Sequence, residues 1–342
     1  MKILNKFFIV LFATYISLMP VACSKKQQVD PSSQNLARCM EEIKKIPVMA
    51  GVLKRGEQDE SEAKARPLEG IRIALTISGM VRSEGEPERG VDSWCEFENS
   101  QENFDKIIAA LKKNNMPPTV AFIVGQNADP KLLKQWMASG NLLGNLTYSH
   151  AKIRRKAPEI FINDIDRCDN LLDPFLAEHR QTRKYFRYPR LKISRRDEIR
   201  AAIESYLQKE NYISVAGSLE LPTDIFSDIY CAALARQDRV CANLISDHFK
   251  KLVLDTTLKS RLITRKRFGG DIRHILIVRS NQFLCDNLDE ILTWYKGLGA
   301  EFIPLDEALT EPLYSQFDEK GRSAARQVIR NVRNRQIQAR EK

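Results

Sequence analysis

Most of the chemistry this chain could perform is gathered in four consecutive residues, Thr147-Tyr148-Ser149-His150. Among the four histidines, His150 is the one that closes a polar run spilling out beyond a strand-like apolar segment. An imidazole there could ligate a metal or pass a proton near neutral pH. Parallel α/β folds place ligand chemistry at that end of their strands. A second grouping is Lys184-Tyr185-Phe186-Arg187-Tyr188-Pro189-Arg190, a guanidinium set among aromatics. Asp224 and Arg279 follow strand-like segments farther on. His179 and His274, at element ends, and His248, on a helix, are read as structural or exposed groups.

The elements that must position these groups alternate regularly. IRIALTI, from Ile71, is a continuous apolar strand, and 103–114 is a helix with Phe104, Ile107, Ile108 and Leu111 on one face. Pro117-Pro118 stops that helix. Thr119–Gly125 then reads as a strand buried on both faces. Pro130 opens a helix that presents Leu132, Leu133, Trp136 and Met137 together, and Gly140 ends it. The stretch 141–146 is the strand leading to His150. Helices are expected at about 157–177, 199–207 and 232–258, with strands at 212–217 and 274–280. This order implies parallel, right-handed crossovers.

GNLLGNLTYSHAKI, residues 140–153, resembles the metal-binding segment of polysaccharide deacetylases, the NodB-homology family or carbohydrate esterase family 4, which reads roughly G-H-E-I-G-N-H-T-Y-S-H. The family's second metal histidine falls on His150 and its first on Leu146. KYFRYPR resembles the family's F-R-Y-P-Y motif, in which the Arg pairs with the catalytic Asp and aromatics wall the substrate groove. Arg187 matches that Arg, and Arg190 replaces an aromatic. The segment 288–309, ending Leu305-Asp306-Glu307-Ala308-Leu309, resembles the family's closing helix, strand and L-D-E-A-L. The resemblance covers about 70–314. It implies a distorted parallel (β/α) barrel of seven or eight strands.

The same resemblance shows what has been exchanged. Where the family strand ends T-F-D-D-G, this chain has Thr76-Ile77-Ser78-Gly79-Met80, so Ser78 holds the general-base position and Gly79 a metal-ligand position. A hydroxyl has no basicity near neutral pH, and Gly has no side chain. The family's general-acid His falls on Arg279, which cannot cycle a proton there. The family's T-x-D-W segment falls near Asp224, with Thr223 at the Asp position unless the register slips by one. Asp92, in a loop after Gly90, is not the preferred substitute base. The family uses a divalent metal such as zinc to polarise an N-acetyl carbonyl and a water. No cofactor is expected here, because a lone His150 does not make such a site. The candidate groove residues are Tyr148, Arg187, Tyr188 and Asp224.

The ends of the chain carry an address and a charge. Lys2 and Lys6 precede or flank an apolar run to Met19, and Pro20-Val21-Ala22-Cys23 resembles a lipoprotein cleavage site, giving a signal peptide at 1–22 and lipidation at Cys23. Residues 23–70 read as a polar linker, with a short amphipathic helix capped by Ser33 and carrying Leu36, Cys39, Met40 and Ile43. The domain proper spans 71–314. A basic helical tail occupies 315–342, with Ala325, Val328, Ile329 and Val332 beside Arg322, Arg326, Arg330 and Arg333; the stripe packs on the domain, on a membrane or on a partner. Apart from Cys23 there are six cysteines, allowing up to three disulfides of open connectivity or buried free thiols. None has C-x-x-C spacing. Lys+Arg exceed Asp+Glu by 54 to 44, which suits anionic lipid, cell-wall polymer or acidic sugar; no nucleic-acid reader motif is present. The reading is an exported, membrane-anchored lipoprotein facing the periplasm or cell surface. Its deacetylase-like domain has lost its chemistry and binds peptidoglycan, another N-acetylated glycan or a protein partner. The alternatives are an active deacetylase with displaced residues and a structural envelope lipoprotein with a filled cleft.

Overall fold

A computed structural model describes residues 31–49, 52, 66–79, 100–151, 153, 157–194, 196–315 and 323–338. The signal-peptide stretch, Cys23, Met80 and Asp92 lie outside them. An all-parallel eight-stranded sheet forms the centre, from β1 (Arg72–Ser78), β2 (Val120–Ile123), β3 (Leu142–Asn145), β4 (Lys184–Phe186), β5 (Tyr212–Ser214), β6 (Leu219–Glu220), β7 (Arg273–Arg279) and β8 (Glu301–Phe302). Its order is β5-β4-β3-β2-β1-β7-β6, with β8 pairing to the start of β1.

β1 and β7 are paired over their full lengths, from Arg72 opposite Arg273 to Ser78 opposite Arg279. Both are apolar and buried between their ends, because a parallel strand is covered on both faces. The expected strand 212–217 is a longer bent stretch. Its first part pairs with β4 and its last part with β7. Val215 N donates to Phe186 O on one side of the bend, and Ser218 N donates to Ile275 O on the other. One bent stretch thus links the two ends of the strand order, and the molecule is a distorted parallel (β/α) barrel. Gly217 permits the bend: a Cβ there would lie 2.4 Å from Ile277 Cδ1.

Helices surround the strands: α1 (Pro31–Lys45), α2 (Ser100–Lys113), α3 (Pro130–Ala138), α4 (Pro158–Glu178), α5 (Asp197–Lys209), α6 (Thr223–Ala235), α7 (Arg239–Phe268), α8 (Gln282–Gly297), the short α9 (Leu305–Ala308) and α10 (Ala324–Gln338). α3 follows its sequence signals. Asp129 accepts hydrogen bonds from the amides of Lys131 and Leu132, Pro130 occupies the first turn, and Leu132, Leu133, Trp136 and Met137 are buried. The single helix expected at 232–258 is two, α6 and α7, separated by a turn in which Gln237 has φ 57°.

The N-terminal region differs from the polar linker expected there, whereas the C-terminal helix packs its stripe on the domain. α1 begins at Pro31, so Ser33 lies inside its first turn rather than before it. Cys39 and Ile43 of α1, with Ile46 and Met49 beyond it, are buried in the main core. Cys39 is disulfide-bonded to Cys241 on α7, 202 residues away. Cross-linking across so long a loop is worth on the order of 2–5 kcal/mol. Cys231 is also disulfide-bonded, whereas Cys168 and Cys285 are buried thiols whose burial pushes each up to about 12. At the other end, α10 buries Ala324, Ala325, Val328 and Val332 against the barrel interior, where Val120, Phe122, Leu146 and Val215 meet. Its Gln336 Nε2 donates to Asp255 Oδ2 (3.0 Å) and Thr256 Oγ1 (2.9 Å) on α7.

Candidate functional site

The C-terminal ends of the strands bring together most of the residues singled out from the sequence. After β3 the chain turns through Thr147 (φ 66°) and His150 (φ 53°). A β-branched residue at positive φ is a strained conformation, and a hydrogen-bond relay holds it. Thr147 N donates to Asn145 Oδ1 (2.8 Å), and Asn145 Nδ2 donates to Ile165 O and Tyr212 Oη. Tyr212 in turn donates to Asp169, which also accepts from Lys184 Nζ. Asp164 accepts from both the amide and the hydroxyl of Ser149 (3.1 and 3.0 Å). Tyr148 is half-buried beneath the Arg167 guanidinium, 3.9 Å from the ring centroid. A Cβ on Gly125 would come within 2.8 Å of that ring, so this close seat needs glycine.

Arg187 follows β4 and reaches across the barrel interior. Its Nη1 donates to Ser78 Oγ (2.9 Å), Nη2 to Thr76 Oγ1 (2.8 Å) and Nε to Val215 O (3.3 Å). The guanidinium also lies 3.9 Å above the Phe122 ring. At 2% exposure it is a buried cation whose direct acceptors are all neutral. Burial pushes it down to about 9, with Glu220 nearby acting in the opposite sense and Arg279 adding to the depression. Arg187 is therefore paired inside the barrel, with Ser78 among its acceptors. It is an interior strut rather than a groove wall. Thr76 and Phe122 are the partners that sequence reasoning missed. The period-2 alternation on β1, which places Ala74, Thr76 and Ser78 on one face, was the available signal.

Tyr188 is likewise no exposed wall. It is 7% exposed and stacks on Phe161 (6.4 Å) and edge-on to Phe186 (4.9 Å) in a third apolar cluster. Its buried hydroxyl has no hydrogen-bond partner among the described residues. The groove candidates thus divide. Tyr148 is half-buried and Asp224 exposed, whereas Arg187 and Tyr188 are inside.

Arg279 ends β7 at the rim. Its Nε pairs with Asp224 Oδ2 (3.3 Å), and its Nη2 lies 4.0 Å from Glu220 Oε1. Thr223 Oγ1 caps the strand, donating to Arg279 O and accepting from Arg279 N, both at 3.2 Å. Asp224 therefore neutralises the residue at the acid position, while Thr223 is a backbone clasp.

The residues that the resemblance assigns to the family's metal positions are Gly79, Leu146 and His150. Gly79 has φ 71° and no side chain, and Leu146 is 3% exposed inside the apolar barrel core. These residues do not fit a divalent metal, which needs three or more N, O or S donors. Among the described residues no group of three or more His, Cys, Asp or Glu could hold one.

The sequence model of the polysaccharide deacetylase family matches residues 92–206. This bears out the resemblance read from the motifs. The matched span contains Leu146, His150 and Arg187 but not Ser78, Gly79 or Arg279. No curated protein matches the chain. Similar solved structures include the wild-type CE4 family pseudoenzyme BA3943 from Bacillus anthracis, at 15% identity over 71% of this chain and 66% of that one, TM-score 0.44. Another is PdaA, a family 4 carbohydrate esterase from Bacillus subtilis, at 17% identity over 75% and 87%, TM-score 0.46. A third is the Bc1960 peptidoglycan N-acetylglucosamine deacetylase, at 20% identity over 69% and 87%, TM-score 0.43.

Proposed function

We propose that this chain is a catalytically silent polysaccharide-deacetylase-like protein of the cell envelope, held at a membrane by lipid on Cys23, that binds peptidoglycan or another N-acetylated glycan. The observation that carries the loss of catalysis is the chemistry of one mouth. Ser78, Gly79, Leu146 and Arg279 stand at the base, two ligand and acid positions, and Leu146 is packed into the barrel core. Four absent groups at once leave neither a metal site nor proton transfer. The half-buried Tyr148 and the exposed Asp224 are what this mouth offers to a sugar. A buried Leu146 and a buried Arg187 also support a second reading, a structural envelope protein whose cleft is filled.

The test is acetate release from N-acetylglucosamine oligomers and from peptidoglycan, with and without zinc or cobalt. None is expected. Leu146→His alone does not restore it, because Gly79 leaves the site a ligand short. The smallest set that could is Ser78→Asp, Gly79→Asp, Leu146→His and Arg279→His. A Cβ at Gly79 would meet nothing within 4 Å, so there the change costs backbone strain alone. Pelleting with peptidoglycan, weakened by Tyr148→Ala, Asp224→Ala and salt, supports the binding reading. Metal-dependent acetate release by the wild-type chain overturns catalytic silence; neither release nor pelleting leaves the structural reading.

A further inference from the structure

The helix that lies outside the family resemblance helps to build a cavity of its own. A cleft of about 380 Å³ opens between α10, the turn after β4 and the ends of β6 and β7, within the range of about 300–1,000 Å³ usual for small-molecule sites. Among the described residues its walls carry Arg190, Lys192, Arg279, Arg326, Arg330 and Arg333 against a single carboxylate, Glu220. Arg279 is already paired with Asp224. Among the described residues, however, Arg190, Lys192, Arg330 and Arg333 form no ion pair. Arg330 and Arg333 are one helical turn apart on α10, where like charges repel and weaken a helix. Their convergence with Arg190 and Lys192 therefore costs folding stability unless an anion sits among them.

Two further observations point to a ligand that is more than a charge. A narrow recess lies beside the cleft, sharing Leu191, Ile193, Ser323 and Arg326 with it, and runs in to the bend at Ser214–Gly217. Tyr188 lines this recess, and its buried hydroxyl has no hydrogen-bond partner among the described residues. Buried polar groups are almost always satisfied, so an orphan beside a cavity marks a place for a ligand or water hydroxyl. The turn that aims Arg190 is also strained, with Arg190 and Leu191 both left-handed at φ 56° and 52°, a cost that clusters at functional sites.

The geometry points to an anionic-saccharide site, taking a sugar unit that bears a phosphate or a carboxylate. The guanidinium groups match either anion bidentately. Glu220 accepts from sugar hydroxyls, Leu191 and Ile193 face the ring, and Tyr188 Oη meets a hydroxyl in the recess. This site does not depend on the N-acetylated-glycan reading and lies on the side of the mouth that α10 covers.

Titration calorimetry of the full chain tests it, with glucuronic acid, glucosamine 6-phosphate, uncharged N-acetylglucosamine and inorganic phosphate, alongside pelleting with phosphatidylglycerol vesicles. Binding of either charged sugar above both neutral sugar and free phosphate is expected, and which of the two binds identifies the anion. The exposed double change Arg330→Glu, Arg333→Glu weakens it by roughly tenfold or more. Tyr188→Phe weakens it by about fivefold with the unfolding midpoint unchanged. Four results would overturn the proposal: phosphate binding as tightly as its sugar ester, neutral sugar binding as well as charged, vesicle pelleting without sugar binding, or no binding at all. A charged sugar held equally well by the Tyr188→Phe protein would remove the recess from the site.

Discussion

At the N-terminal end of β7, His274 is 1% exposed, and the hydroxyls of Ser218 and Tyr314 beside it are both hydrogen-bonded. Its Nδ1 meets Ser218 Oγ at 3.0 Å, and Ser218 Oγ lies 2.9 Å from Tyr314 Oη. Tyr314 Oη also takes the amide of Ile275 (2.7 Å) and donates to Arg273 O (2.9 Å). At the C-terminal end of the barrel the accounting is left open. Arg187 is a buried cation on neutral acceptors, Thr147 Oγ1 and Tyr188 Oη have no partner, and Thr147, His150 and Arg190 hold positive φ. Strain is not peculiar to either end, since Asn115, Arg180 and Asn211, which lead into β2, β4 and β5, are also left-handed; what sets the upper end apart is a buried guanidinium held by neutral acceptors.

Acid should expose the largest difference. Unfolded, His274 has its ordinary pKa of 6.5, and folded, burial holds it down to about 4. Between those values the unfolded chain binds more protons. Stability is therefore fully present above pH 6.5 and falls by about 3 kcal/mol on acidification through pH 4. His248, also lowered by burial, acts in the same sense. Urea unfolding at a series of pH values reads this, and His274→Gln should flatten the slope; an unchanged slope would remove His274 from the explanation.

Removing the same atom at the two ends sharpens the contrast. Tyr314→Phe strips partners from Ser218, Ile275 and Arg273 and should cost about 1–3 kcal/mol. Ser78→Asp at the upper end should do the reverse. It gives Arg187 a carboxylate and should raise stability by about 1–2 kcal/mol in denaturant titration. No gain would mean that the neutral acceptors already satisfy this cation. The smallest effect is expected for Tyr188→Phe, within about 0.5 kcal/mol of wild type, because its hydroxyl bonds to nothing in the protein. A loss comparable to that of Tyr314→Phe would break the comparison.

Much of this was legible beforehand. The apolar runs of β1 and β7, the capped helix α3 and the polar turn to His150 follow from local pattern, and residue identity alone fixes what Ser78, Gly79, Leu146 and Arg279 can donate. Those four identities already decide the donor chemistry, since no folding can give Gly79 a ligand atom or Leu146 a lone pair. Partners distant in the chain were not legible. Arg187 reads from the sequence as a groove candidate, and only the fold shows that Thr76, Ser78 and Val215 take it inside the barrel. Tyr188 looked like a groove wall until Phe161 and Phe186 enclosed it. The bend that splits β5 from β6, the Cys39–Cys241 cross-link and the joining of α10's arginines to Arg190 and Lys192 share this character. Periodicity and residue chemistry act over a few residues and are written in the order of the chain. Burial, pairing of charges and the walls of a cavity depend on which distant segments the barrel brings together, and only the tertiary structure decides that.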